Sequence, residues 1–122
     1  MKILKLKDYT RGWLIGDFEP AVLRTKDFEF AVKEYKTGDK EEAHFHKVAT
    51  EISVIVSGKF KMNDTPLKKG DVLIMNPGDI ARFSCIQSGV TAVIKVPSVK
   101  GDKYIVKNAR VTMRKKNLIN NH

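Results

Sequence analysis

His44 and His46 stand two residues apart, and Glu51 follows five residues after the second of them. On a β-strand the two imidazoles project from the same face, because side chains alternate with a period of two, so both rings can converge on one point. A carboxylate at the start of the next strand adds an oxygen donor to the two ring nitrogens. Two histidines and one carboxylate form a donor set for non-haem iron(II), and the set also suits manganese, nickel or zinc. A plainer reading competes with this one. A histidine pair on a strand and a nearby glutamate are ordinary in a chain that is 30% charged. The three could form a buried, hydrogen-bonded polar group with no metal at all.

The elements that must position these residues read as strands, since the apolar period is two almost throughout. Phe28 to Tyr35 places Phe28, Phe30 and Val32 on one face and stops at Thr37-Gly38-Asp39, a turn cluster. Ala43 to His46 follows. Ile52 to Val56 is apolar on both faces, and Ser57-Gly58-Lys59 and Asn63-Asp64 read as turns either side of Phe60-Lys61-Met62. Val72 to Met75, Ile80 to Ile86 and Val90 to Val96 are further strands, separated by Asn76-Pro77-Gly78-Asp79 and by Gln87-Ser88-Gly89. Trp13 to Phe18 reads as an edge strand, as do Tyr104 to Val106 and Arg110 to Met113, and the last residues, 117 to 122, read as loosely ordered. Strands at this spacing with Gly and Pro punctuation make an all-β sandwich or barrel.

With 122 residues and 13.8 kDa the chain is one domain's worth. It is 42% hydrophobic, its mean hydropathy is −0.31, and no apolar run approaches a membrane span. Charge alternates with apolar residues from Met1 to Asp8, which argues against a signal peptide and for the cytoplasm. The single cysteine, Cys85, makes no internal disulfide. The net charge of +9 raises the question of nucleic acid. However, residues 100–122 hold seven basic residues and one acid, and no aromatic after Tyr104 offers a stacking platform, so nucleic acid is not the expected partner. Ile52 to Val56 has a consequence of its own. A barrel interior takes only one of its apolar faces, so a second copy of the chain is expected to cover the other as a homodimer.

Gly38, His44, His46, Glu51 and Gly58 match the first cupin motif at every fixed position and every gap. The second motif is degenerate. Counted from Gly70, it has Asn76 in place of proline, Gly78 in place, Ala81 where the family has its third metal histidine, and Cys85 in place of asparagine. The chain thus resembles the cupin superfamily over roughly residues 28–97, with 1–27 and 100–122 as extensions of a single domain. The resemblance implies a small cupin-type β-barrel, the jelly-roll-like double-stranded β-helix. It also implies a divalent metal (Fe, Mn, Ni or Zn) bound by His44, His46 and Glu51, with one ligand missing because Ala81 has no donor atom. Three outcomes are open: a three-ligand metal, a substitute donor such as Cys85, or no metal. Cys85 shares a face with Ala81 but lies about 13 Å farther along the strand, at roughly 3.3 Å per residue. Its plainer reading is a small buried hydrophobe.

Tyr35, Phe83 and Cys85 are candidate pocket-lining residues, with Tyr35 donating a phenolic hydrogen bond inward. Core packing is the preferred reading of Phe45 and Phe83, and Lys47 and Arg82 are candidates to meet an anionic ligand at the mouth, although alternation puts Arg82 on the face opposite Ala81. The expected function is binding of the metal and of a small anionic or sugar-like molecule. Isomerase or dioxygenase chemistry would then rest on Lewis-acid polarisation of a carbonyl or hydroxyl oxygen. The alternatives are a metal-free ligand-binding or regulatory protein without catalysis, and a protein that pairs with other chains through its dimer face and basic tail.

Overall fold

In the computed structural model, which describes residues 1–107, nine strands follow two short 3-10 turns at Leu6–Asp8 and Thr10–Gly12. They are β1 (Trp13–Gly16), β2 (Leu23–Arg24), β3 (Glu29–Tyr35), β4 (His44–Phe45), β5 (Thr50–Met62), β6 (Thr65–Lys68), β7 (Val72–Met75), β8 (Phe83–Val96) and β9 (Tyr104–Ile105). Seven of them form one sheet in the order β2-β1-β3-β8-β5-β6, with β7 also on β5, while β4 pairs with β9. Single bridges link Lys40, before β4, to Ser84 at the start of β8, and His44 of β4 to Ala81, just before β8. No helix among the described residues is long and apolar enough to cross a membrane. The expected strand at Arg110–Met113, the loose end and most of the basic tail lie outside the described residues.

The turns expected at Ser57-Gly58-Lys59 and Gln87-Ser88-Gly89 are not turns. β5 and β8 run through both positions as one long antiparallel pair, irregular in register between Ile55 and Phe60. Gly58 takes φ +83, and a Cβ there would lie 2.6 Å from the Gln87 carbonyl oxygen and 2.6 Å from the Gly89 Cα. A Cβ on Gly89 would lie 2.1 Å from the Ser57 carbonyl oxygen. The two glycines therefore let the backbones touch where a bulge disrupts the ladder, and bulges bend a strand without ending it. Beyond the bend the neighbours change: β5 pairs with β7 over Glu51–Val54 and with β6 over Lys59–Met62. Gly89→Ala is expected to cost about 3 kcal/mol or more, because the obstruction is backbone and cannot rotate away. A shift in urea midpoint equivalent to less than about 1 kcal/mol would contradict that.

Register sorts the side chains onto two faces. Glu29, Ala31, Lys33 and Tyr35 of β3 face inward beside Lys95, Val93 and Thr91 of β8 and Glu51, Ser53 and Ile55 of β5. Phe30 and Val32 share the opposite, outer face. The core proper lies beyond the bend, where Phe60 stacks on Phe83 (5.0 Å between ring centroids) among Ile55, Met62, Leu67, Ala81 and Cys85. A smaller apolar cluster of Phe45, Ile80 and Val106 backs β4. The sheet interior is thus apolar at one end and charged at the other.

Candidate metal centre

β4 is only two residues long, so its position is set from outside. His44 exchanges two backbone hydrogen bonds with Ala81, its N–H donating at 3.0 Å and its carbonyl accepting at 2.8 Å. On the other side β9 pairs with β4, and Phe45 stacks on Tyr104. The chain between His46 and Glu51 is held by one buried carboxylate. Asp102 accepts hydrogen bonds from the amides of Lys47 (2.8 Å), Val48 (3.2 Å) and Ala49 (2.9 Å), and the Gly78 amide donates to the His46 carbonyl at 2.7 Å. Glu51 enters on β5, directly across from Lys95.

These elements bring the three residues singled out by spacing together: one ligand atom from each of His44, His46 and Glu51 lies within 4.8 Å of the others. Both histidines are buried. Nδ1 of His44 is 2.8 Å from the Glu42 carbonyl oxygen, which assigns the proton to Nδ1 and leaves Nε2 with a free lone pair. Nε2 of His46 is buried and has no hydrogen-bond partner among the described residues. Burial pushes His44 below its ordinary value; burial, helped by Lys95 and His44, pushes His46 down to about 4. Burial raises the Glu51 carboxyl, against the pull of Lys95. Neutral imidazoles with free lone pairs, one of them orphaned, beside a desolvated carboxylate are what a divalent cation requires of its ligands. The residues present fit such an ion.

A cavity of about 600 Å³ opens beside this cluster, with His44, Glu51, Tyr35, Glu41, Lys95 and Lys103 in its wall. A smaller one of about 250 Å³ reaches His46 from the other side, and Lys95 and Lys103 border both. Tyr35 lines the larger cavity, but its hydroxyl proton is committed: it donates to Glu41 Oε2 at 3.0 Å, and Lys33 Nζ donates to the same oxygen at 2.7 Å. Burial acts to raise the Glu41 carboxyl, yet Lys33 and Tyr35 outweigh it and hold it below its ordinary value. Burial, then the Glu41 charge, raises Tyr35. Tyr35 therefore faces the cavity as a neutral phenol with its oxygen lone pairs to offer.

Phe83 and Cys85 do not border either cavity; both pack in the apolar cluster, where Cys85 pairs with Phe60 and burial pushes its thiol up. Cys85 is not among the clustered donors, and Ala81 lies beside His44 as part of the core. Lys47 and Arg82 are also absent from the cavity walls: Lys47 lies over the Tyr104 ring at 4.3 Å, and Arg82 is exposed. The cations in the wall of the larger cavity are instead Lys7, Arg11, Lys33, Lys40, Lys95 and Lys103. Sequence reasoning missed these, and Glu41 and Asp102 with them. Part of the signal was present: Glu29, Lys33 and Lys95 alternate with apolar residues and so share the face that Glu51 occupies.

No protein-family model and no curated protein matches the chain. Solved structures do. An uncharacterized conserved protein with a double-stranded β-helix domain from Klebsiella pneumoniae superposes with a TM-score of 0.66 at 20% identity, over 88% of this chain and 93% of that one. An RmlC-like cupin from Shewanella frigidimarina gives 0.58 at 19% identity, over 62% and 71% of the two chains. The DMSP lyase DddQ from Ruegeria pomeroyi gives 0.62 at 19% identity, over 77% of this chain but only 49% of its own length.

Proposed function

On the premise of the cupin fold that the chain shares with these structures, we propose that it binds one divalent metal ion through His44, His46 and Glu51 and takes a small anionic molecule into the adjoining cavity. The observation that carries this reading is the buried, unpartnered Nε2 of His46 beside two other donors. A buried polar atom without a partner is costly, and an ion at this point would satisfy it. A bound ion would supply Lewis-acid polarisation of a carbonyl or hydroxyl oxygen, the chemistry behind isomerisation or dioxygen activation. The chain's own residues contribute the rest. Lys95 and Lys103 place positive charge between the two cavities, where a carboxylate or phosphate would be held. Glu41, fixed by Lys33 and Tyr35, lines the same larger cavity and would orient hydroxyl groups of a ligand. The same reading makes the working unit a homodimer.

Ala81 favours a second reading. With a methyl group where the first-motif ligands would gain a fourth partner, the pocket would bind its ligand without metal, using the imidazoles as hydrogen-bonding groups. Elemental analysis of protein purified without a histidine tag separates the two. About one equivalent of a divalent metal is expected, restored after chelation by Fe, Mn, Ni or Zn. Protein that neither carries nor takes up any of these ions would leave only the metal-free reading.

A further inference from the structure

Part of the wall of the larger cavity does not belong to the sheet. Leu6, Lys7, Tyr9, Arg11 and Gly12, all from the two 3-10 turns ahead of β1, border it together with His44, Glu51 and Lys103. The hydrogen bonds that this segment makes among the described residues are local, from the amides of Asp8 to Lys5, Tyr9 to Leu6, Gly12 to Tyr9 and Trp13 to Thr10. None of them reaches the sheet, and no side chain of residues 1–11 is buried. The anchor is at the far end. Gly12 is buried with φ +79, and a Cβ there would run into the Val32 carbonyl oxygen, so the segment meets β3 backbone against backbone. Arg11, just before it, is held at φ 49 and ψ 33, the left-handed region that an L side chain rarely adopts. A segment with few ties to the body, joined to it through two consecutive left-handed residues, is built as a flap on a fixed hinge.

Charge says what would close it. Lys33 is paired with Glu41 at 2.7 Å and Lys95 with Glu29 at 3.9 Å, whereas Arg11 and Lys103 make no ion pair among the described residues. The positive charges also crowd one another. Burial pushes Lys103 below its ordinary value, and against the opposing pull of Glu41 the charges of Lys33, Arg11 and Lys95 push it the same way. Like charges gathered without counterions around a concavity stabilise an anion that comes among them. We propose that an oxyanion group of the ligand, phosphate or carboxylate, bridges Arg11 of the N-terminal segment and Lys103 of the segment before β9, and that this bridge shuts residues 1–11 over the cavity. The inference rests on the anion-binding half of the proposed function, not on the metal, and adds to it a contact from outside the sheet and a step of closure. Arg11 suits the task, since its planar fork binds two oxygens at once while Lys103 supplies a point charge. Closure would keep bulk water from a ligand lying beside His44 and Glu51.

Trp13, the chain's single tryptophan, borders the same cavity and lies under Lys95 (4.9 Å to the ring centroid) and Lys33 (5.7 Å), so its fluorescence reports filling of the site. The test titrates the full chain as purified with inorganic phosphate and with acetate at constant ionic strength, while trypsin cleavage after Lys5 and Lys7 reports opening of the segment. At about ten times its dissociation constant, the anion is expected to slow those cleavages by about 10-fold, because a ligand that binds only the closed form suppresses the open one by that factor. Protection by phosphate alone would assign the oxyanion to a phosphate ester, and protection by acetate as well would admit a carboxylate. Arg11→Asn keeps a residue that tolerates the left-handed backbone but removes the cation. This variant and Lys103→Gln are each expected to weaken binding about 10-fold or more and to abolish the protection. Arg82→Gln, exposed and away from both cavities, should change neither. A Trp13 response without protection from trypsin, or protection that survives either cavity substitution, would overturn the closing segment and leave anion binding in the cavity standing. No response to either anion would overturn both.

Discussion

Glu51→Gln is expected to abolish metal retention and yet leave the metal-free protein at least as stable as the wild type at neutral pH. Burial raises the Glu51 carboxyl above its ordinary value, and Lys95 only partly opposes this. An acid whose value is raised on folding holds its proton more tightly folded than unfolded. Its contribution to stability is therefore present at low pH and is lost as pH rises through the folded value. Above its ordinary value such a raised carboxyl is a net cost to the metal-free protein, and the neutral amide removes it. The same logic extends to His46→Leu, which replaces a buried, orphaned nitrogen with an isosteric apolar group. Both substitutions should lower metal affinity by more than the roughly 100-fold that loss of a ligand's supporting partner can cost. Paired measurements of metal content and urea unfolding check this. A structural hydrogen-bonded triad would behave in the opposite way, with stability falling in both variants and no metal to lose. That outcome would remove the centre.

The second large effect is expected at a residue that touches no ligand. Asp102→Ala should cost roughly 3 kcal/mol and weaken metal binding by about 10- to 100-fold. The Asp102 carboxylate is buried and satisfies the amides of Lys47, Val48 and Ala49, which turn the chain between His46 and Glu51. Without it three donors lose their acceptor, and the segments carrying His46 and Glu51 lose the clamp that fixes their separation. Burial by itself would raise this carboxyl, but the three amide hydrogen bonds and the nearby His46 hold it below its ordinary 3.8. A depressed acid contributes stability that is complete above the unfolded value and is lost as pH falls through the folded one. The difference in stability between wild type and Asp102→Ala should therefore be constant above about pH 5 and shrink only in strong acid. An alanine variant with unchanged stability and metal affinity would show that the loop is set by its other contacts.

How much of this was legible beforehand differs from residue to residue. The alternation at Ala43–His46 and the position of Glu51 at the head of an apolar strand were enough to bring the three donors onto one side, because strand geometry leaves side chains only two directions. The resemblance to the first cupin motif carried the fold, down to glycines at Gly38 and Gly58, both with positive φ. Gly58 was nevertheless misread as a turn. A glycine that ends a strand and one that bulges it look alike in sequence, and only the opposing Gly89 distinguishes them, from thirty-one residues away. Phe83 and Cys85 share a face with Ala81 and so were candidates to line the pocket, although core packing was the preferred reading of both. The bend shared by β5 and β8 sends that face into the apolar cluster instead.

The sequence by itself determined the all-β class, the two-sided alternation of the strands, and the convergence of His44, His46 and Glu51 on one side, since all of these follow from the two-residue period and the chemistry of the side chains. The tertiary structure alone decided which cations border the cavity, that Tyr35 spends its proton on Glu41, and that Asp102 holds the turn between His46 and Glu51. Those facts join residues 6, 53 to 55 and more positions apart in the chain. Local periodicity carries no information about such pairs; strand order and register fix them.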